Sequence, residues 1–159
     1  MFVIRGKELA LEYDRLFAGP RKLLVPPYES LYRYGDGQVM APCAVQVRKL
    51  YRENGLEISS AFNDLPDHIC AELQFMAYLC LMDAEAWASG DEIEAARFVA
   101  KQDSFLKEHL CLWVDKFAGR LASSTDNPFY LSLGKLVALF VKLDSDIVSL
   151  SLGRLKQLG

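Results

Sequence analysis

At 159 residues the chain suits one domain that buries about two thirds of the surface its unfolded form exposes, and 52% hydrophobic against 25% charged residues excludes a disordered polymer. A net charge of −3 gives no general attraction for nucleic acid or an anionic membrane surface, and no stretch approaches the roughly 20 unbroken apolar residues of a membrane span. The opening Met-Phe-Val-Ile-Arg-Gly-Lys is too short an apolar run for a secretion signal, so the chain reads as cytoplasmic.

In chain order, residues 7 to 18 put Leu9, Tyr13, Leu16 and Phe17 on one helical face, with Gly19-Pro20 as the stop. Two prolines and three tyrosines between Arg21 and Gly37 break regular structure, while Leu24, Val25, Tyr28, Leu31 and Tyr32 are too apolar for a mobile linker. The segment is expected to be an ordered loop lying on the helices, closed by a turn at Gly35-Asp36-Gly37. Pro42 suits a first helical turn, and Val45, Val47, Leu50 and Tyr51 lead to a stop at Asn54-Gly55. Residues 56 to 65 then cross to a central helix. Pro66 cannot extend an incoming helix and Asp67 offers its carboxylate to a first turn, after which Ile69, Leu73, Met76, Ala77 and Cys80 recur at helical spacing. From Phe75 to Met82 no face carries a charge, so this helix is expected to be covered nearly all round, ending near Ser89-Gly90.

Asp91 with Glu94 has the pattern of a capping box, and beyond Ser104 the residues Phe105, His109, Trp113, Phe117 and Leu121 keep strict four-residue spacing. A bundle helix follows, with His109 as a packed core histidine. Asn127-Pro128 opens the last helix, whose Leu131, Val137, Phe140, Leu143, Ile147 and Leu150 are expected to face inward. No strand alternation, repeat or second domain is visible. The fold expected over residues 1–159 is an all-α bundle of about six helices with one long ordered loop near its start.

Between Glu53 and Ala96 the carboxylates are Glu53, Glu57, Asp64, Asp67, Glu72, Asp83, Glu85, Asp91, Glu92 and Glu94, with no Lys or Arg among them. Singly they read as solvated helix faces and caps; together they favour a cationic partner. Cys43, Cys70, Cys80 and Cys111 lack C-x-x-C pairing and read as reduced core thiols. A di-iron site would need Glu-x-x-His on two helices, and no such motif occurs. There is no G-x-S-x-G turn or phosphate-cradling glycine loop, and two histidines supply acid/base catalysis thinly, so neither catalytic residue nor cofactor is assigned. Asp67 and His68 either cap and pack locally or stand at the rim of an apolar groove near Tyr28, Glu29 and Tyr32. There a carboxylate could take two parallel bonds from a peptide's guanidinium while a tyrosine ring stacks on it.

These residues also carry a resemblance. Tyr13-Asp-Arg-Leu16-Phe17, Gly19-Pro20, Pro27-Tyr-Glu-Ser-Leu-Tyr32 and Pro66-Asp67-His68 running into Glu72-Leu-Gln-Phe-Met76 stand in the order and spacing found in the TorD/DmsD/NarJ family. The chain resembles these cytoplasmic chaperones of molybdenum-containing redox enzymes. The resemblance implies a non-enzymatic helical chaperone, monomeric or a domain-swapped homodimer, that binds the twin-arginine leader of a molybdoenzyme catalytic subunit. It would hold that subunit for molybdopterin insertion before export or assembly. Carried onto this sequence, the peptide-binding candidates are Tyr28, Glu29, Ser30, Tyr32, Asp67 and His68, to which the acidic run adds Asp64 and Glu72. A helical adaptor that binds a folded partner, and a metal- or haem-dependent bundle enzyme, are the competing classes.

Overall fold

The protein is described from a computed structural model covering residues 6–18, 23–35 and 41–158, with side chains up to Leu155. The first five residues, Gly19-Pro20 and the Asp36-Gly37 part of the expected turn lie outside the described residues. The helices are α1 (Gly6–Phe17), α2 (Glu29–Arg33), α3 (Pro42–Glu53), α4 (Ile69–Ser89), α5 (Glu92–Glu108), α6 (Val114–Ser124) and α7 (Pro128–Leu158), with a 3-10 turn over Leu110–Leu112. Six long helices and the five-residue α2 make the expected all-α bundle. Among the described residues the extended backbone contributes one isolated bridge, Tyr28 with His68.

Sequence punctuation sets the hairpins. Gly90 takes φ +78°, a left-handed conformation that glycine adopts without a Cβ penalty, and ends α4. Asp91 then accepts from the Glu94 amide at 2.9 Å and starts α5, which returns along α4. At the other hairpin Asn127 Oδ1 accepts from the Phe129 amide at 3.0 Å. Gly134 brings α7 hard against α6, since a Cβ there would lie 3.0 Å from Leu121 Cδ2. The core joins Phe75, Met76 and Leu79 of α4 to Val99, Phe105 and Leu106 of α5 and to Trp113, Phe117 and Leu121. α1 is fastened to the α6–α7 corner, where Tyr130 donates to the Leu9 carbonyl at 2.8 Å and Glu12 pairs with Arg15 at 2.6 Å and with Thr125.

Four expectations are corrected. The stripe from Phe105 to Leu121 is buried throughout, yet it does not lie on one helix. The backbone breaks at His109 (φ −126°, ψ −89°), turning the His109 and Trp113 side chains toward partners described below. α4 is not covered all round, because Ala77, Cys80, Leu81 and Trp87 remain exposed. Cys43 is the one buried thiol among four free cysteines; Cys70, Cys80 and Cys111 are exposed. On α7, Tyr130, Val141 and Val148 turn inward while Phe140, Leu143, Ile147 and Leu150 face outward. That helix carries two apolar stripes, and the one with small residues for close approach, Gly134 and Ala138, took the core.

Candidate functional site

The site grows from two proline-led segments that interlock. Pro27 and Pro66 leave extended backbone, and the chain segments following them pair: the Glu29 amide donates to the Asp67 carbonyl at 3.0 Å and the Ile69 amide donates to the Pro27 carbonyl at 2.9 Å. Asp67 is a capping residue, as its type suggests, but of a different helix from the one it precedes. Its Oδ2 accepts from the Ser30 amide at 2.9 Å and so satisfies the first turn of α2. The cap of α4 is His68, whose Nδ1 accepts from the Cys70 amide at 3.0 Å. Burial holds the His68 imidazole below its ordinary pKa against the pull of Asp64 and Asp67, which keeps Nδ1 unprotonated and able to accept.

Beneath this junction lies a buried polar set. Glu29 is fully buried, with Oε2 at 3.0 Å from His109 Nδ1 and Oε1 at 2.5 Å from Arg33 Nη1. Arg33 also donates to the Glu108 carbonyl at 3.0 Å. Glu72, likewise fully buried, accepts from Trp113 Nε1 at 3.0 Å. Burial first, and then the neighbouring Glu29 charge, push the Glu72 carboxyl well above the usual range. The half-buried Tyr32 ring stacks on Trp113 with centroids 5.4 Å apart. The bend at His109 therefore has a cause: it lets one helical stripe serve both carboxylates.

The candidates thus divide. Glu29, Ser30, Asp67 and Glu72 have no exposed surface and are bonded internally, so none meets a ligand while this junction is closed. The expected direct bond from Asp67 to a peptide guanidinium is unavailable in this conformation for that reason. Tyr28 and the exposed Asp64 lie at the surface edge, over a largely buried His68. Tyr28 donates its hydroxyl to Asp64, and its ring meets the His68 ring edge-on at 5.5 Å. Asp64 Oδ2 lies 3.7 Å from His68 Nε2. On the far side of His68 stands Phe62, with centroids 5.7 Å apart.

Phe62 opens onto a groove of about 310 Å³ between α3, α4 and the crossing segment, lined by Leu56, Ile58, Phe62, Ala71, Phe75 and Tyr78, with Glu57 and Gln74 at its polar margin. The sequence reading passed over this crossing segment. Its signal was there, in Leu56, Ile58 and Phe62 set among the polar residues of a ten-residue stretch. Among the described residues no three His, Cys, Asp or Glu side chains gather as metal ligands, and no helix is long and apolar enough to cross a membrane.

Residues 5–119 match the family model described as nitrate reductase delta subunit. The chain belongs to the nitrate reductase delta subunit family. Within it, the chain is 31% identical over 138 residues to "Chaperone protein TorD" of Vibrio parahaemolyticus, covering 87% of this chain and 63% of that protein. The same name and the same coverages describe a relative from Vibrio vulnificus strain YJ016, 30% identical over 139 residues. The Aliivibrio fischeri protein of that name is 30% identical over 137 residues, 86% of this chain and 62% of its own length. The chain therefore spans a little under two thirds of the length of these curated relatives. No solved structure matches it. Both interlocked segments fall inside the stretch matched by the delta-subunit family model, as do the groove, the bend at His109 and the buried set.

Proposed function

We propose that the chain is a maturation chaperone for the catalytic subunit of a molybdopterin-containing oxidoreductase. It binds that subunit's twin-arginine leader in the cytoplasm and holds the subunit for cofactor insertion before export or assembly. The observation that carries the reading is the continuity of an open carboxylate and an aromatic rim with an apolar groove. Asp64, Tyr28, His68 and Phe62 form one edge, and the groove starts where that edge ends. A twin-arginine leader has the matching order, guanidinium groups followed by an apolar segment. In this reading one arginine exchanges Tyr28 for itself at the Asp64 carboxylate and lies on the aromatic edge, while the apolar segment enters the groove beside Phe62 and Tyr78.

Family membership and relatives named as chaperones support the same reading, and it assigns no catalysis. The buried residues Glu29, Ser30, Asp67 and Glu72 act through position, because they fix α2 and the start of α4 and hence the rim. Tyr32 braces that arrangement through Trp113. The test is a leader peptide carrying a photoreactive side chain in its apolar segment. Crosslinks are expected on residues 56–62 and 71–78, lost when both peptide arginines are replaced by glutamine. Crosslinks confined to other surfaces, or no binding at all, would reject the reading.

A further inference from the structure

The groove beside Phe62 does not end at its apolar lining. Past Leu56 and Ile58 it meets a smaller polar recess of about 110 Å³, lined by those two residues with Arg48, Tyr51, Arg52 and Glu57. Tyr51, Leu56, Glu57 and Ile58 line both spaces, so the recess is a branch of the groove. Arg48 and Arg52 stand one turn apart on α3, both exposed, and among the described residues neither guanidinium has an ion-pair or hydrogen-bond partner. The acid next along the helix is taken, since Glu53 lies 3.5 Å from Lys49. Two like charges at this spacing repel each other and weaken a helix, so they favour an anion brought from outside. Among the described residues they are also the only basic side chains lining either space. From this arrangement we infer that Arg48 and Arg52 form a carboxylate-accepting subsite for an acidic residue that follows the apolar segment of a bound leader. The inference rests on the leader reading above and adds to it a charge preference and a direction.

Size and charge select that occupant. A guanidinium presents its N–H donors in a planar fork that matches the two oxygens of a carboxylate. The recess is well below the roughly 300 Å³ at which sites for free small molecules begin, and it shares four lining residues with the groove. It therefore suits a side chain carried in by whatever fills the groove. Its charge is opposite to that of the rim: Asp64 stands beside His68 next to Phe62 at one end, and the two arginines stand past Leu56 at the other. Glu57 lies on the shared wall, one carboxylate against two guanidiniums, and leaves the recess net positive. A leader laid with its arginines at Asp64 brings the residues after its apolar segment to Arg48 and Arg52. The reverse order sets arginine against arginine at one end and acid against acid at the other, so the same pair rejects a reversed peptide.

The test is calorimetric titration of the full chain with twin-arginine leader peptides that differ in a single residue, Glu, Gln or Lys, placed in turn at each position of the helical turn after the apolar segment. At one or more of these positions the Glu peptide is expected to bind wild type about threefold more tightly than the Gln peptide and the Lys peptide about threefold more weakly, the scale of exposed ion pairs. The spread is expected to close in about 1 M salt. With Arg48→Gln and Arg52→Gln together the three peptides are expected to bind alike. With Arg48→Glu and Arg52→Glu together the order is expected to reverse, which a merely structural role of the arginines would not produce. Helicity is expected to stay unchanged in both double variants, because the two side chains are exposed and unpartnered. Equal binding of all three peptides to wild type at every position overturns the inference, and the leader reading survives that result if binding still requires the peptide arginines. A Glu preference that persists in both double variants also overturns it, since the carboxylate is then held elsewhere. Failure of every peptide to bind rejects the leader reading and this inference with it.

Discussion

Glu72 shows how a buried charge is managed at the level of one side chain. It sits beside Glu29, whose carboxylate is matched by Arg33 and His109; it receives a hydrogen bond from Trp113 and shares another with Glu29. With its pKa raised in the fold, the folded chain holds that proton more tightly than the unfolded one. Stability from this group is therefore complete below the ordinary carboxylate range and falls as pH rises through that range toward the raised folded value. Glu72→Gln keeps an acceptor for Trp113 and removes the penalty. It is expected to gain about 1 kcal/mol or more at pH 8 and to lack this component of the wild-type decline, read by urea unfolding across pH. Superimposable profiles would show that Glu72 carries no such burden. The sequence marked Glu72 and His109 by position, but it could not pair Glu29 with His109 across 80 residues. Asp67 was legible as a cap, and only its target was wrong: the amide it serves lies on α2, 37 residues earlier.

Among elements, α4 depends on an unusual cap. A neutral imidazole accepts the Cys70 amide, and it can do so only while Nδ1 is unprotonated. Because burial lowers the His68 pKa, its contribution is full above the unfolded value near 6.5 and is lost as pH falls from there toward the folded value. His68→Asn offers a carbonyl oxygen in the same place. It is expected to keep the cap and flatten the loss of stability between pH 6.5 and 5, whereas His68→Ala costs about 1 kcal/mol above pH 6.5 and progressively less below it, as wild type loses the same cap. Thermal unfolding of the three proteins from pH 5 to 8 distinguishes these outcomes; a slope unchanged in the Asn variant would assign the pH dependence to another group. Helix positions were readable because glycine, proline and asparagine stand at their ends. The facing of α7 was not, since both its stripes are apolar and only the small residues Gly134 and Ala138 tell which one packs closely. The break between α5 and α6 was hidden for a related reason: its residues keep helical spacing and stay buried while the backbone turns.

At the scale of the whole molecule the chain presents two separate surfaces, a rim and groove at the α3–α4 side and an apolar stripe along α7. The acidic run gains a different meaning once folded. Asp67 and Glu72 go inside, Asp91 caps α5, Glu94 pairs with Arg97 at 2.8 Å, Glu57 lines the groove and Asp64 stays exposed beside Tyr28 and His68. Of the carboxylates that stay exposed, Glu57 and Asp64 are the ones beside the apolar groove and its rim, where the proposed leader would meet them. In the proposed reading Asp64 is the decisive one, being solvent-accessible, beside two aromatic rings and, among the described residues, contacting Tyr28, His68 and its own neighbour's amide. The most direct measurement is calorimetric titration of a twin-arginine leader peptide into wild type and Asp64→Asn. Affinity is expected to fall about tenfold, the worth of one charge-assisted hydrogen bond, with the unfolding midpoint unchanged. Equal affinity in the two proteins would contradict the account.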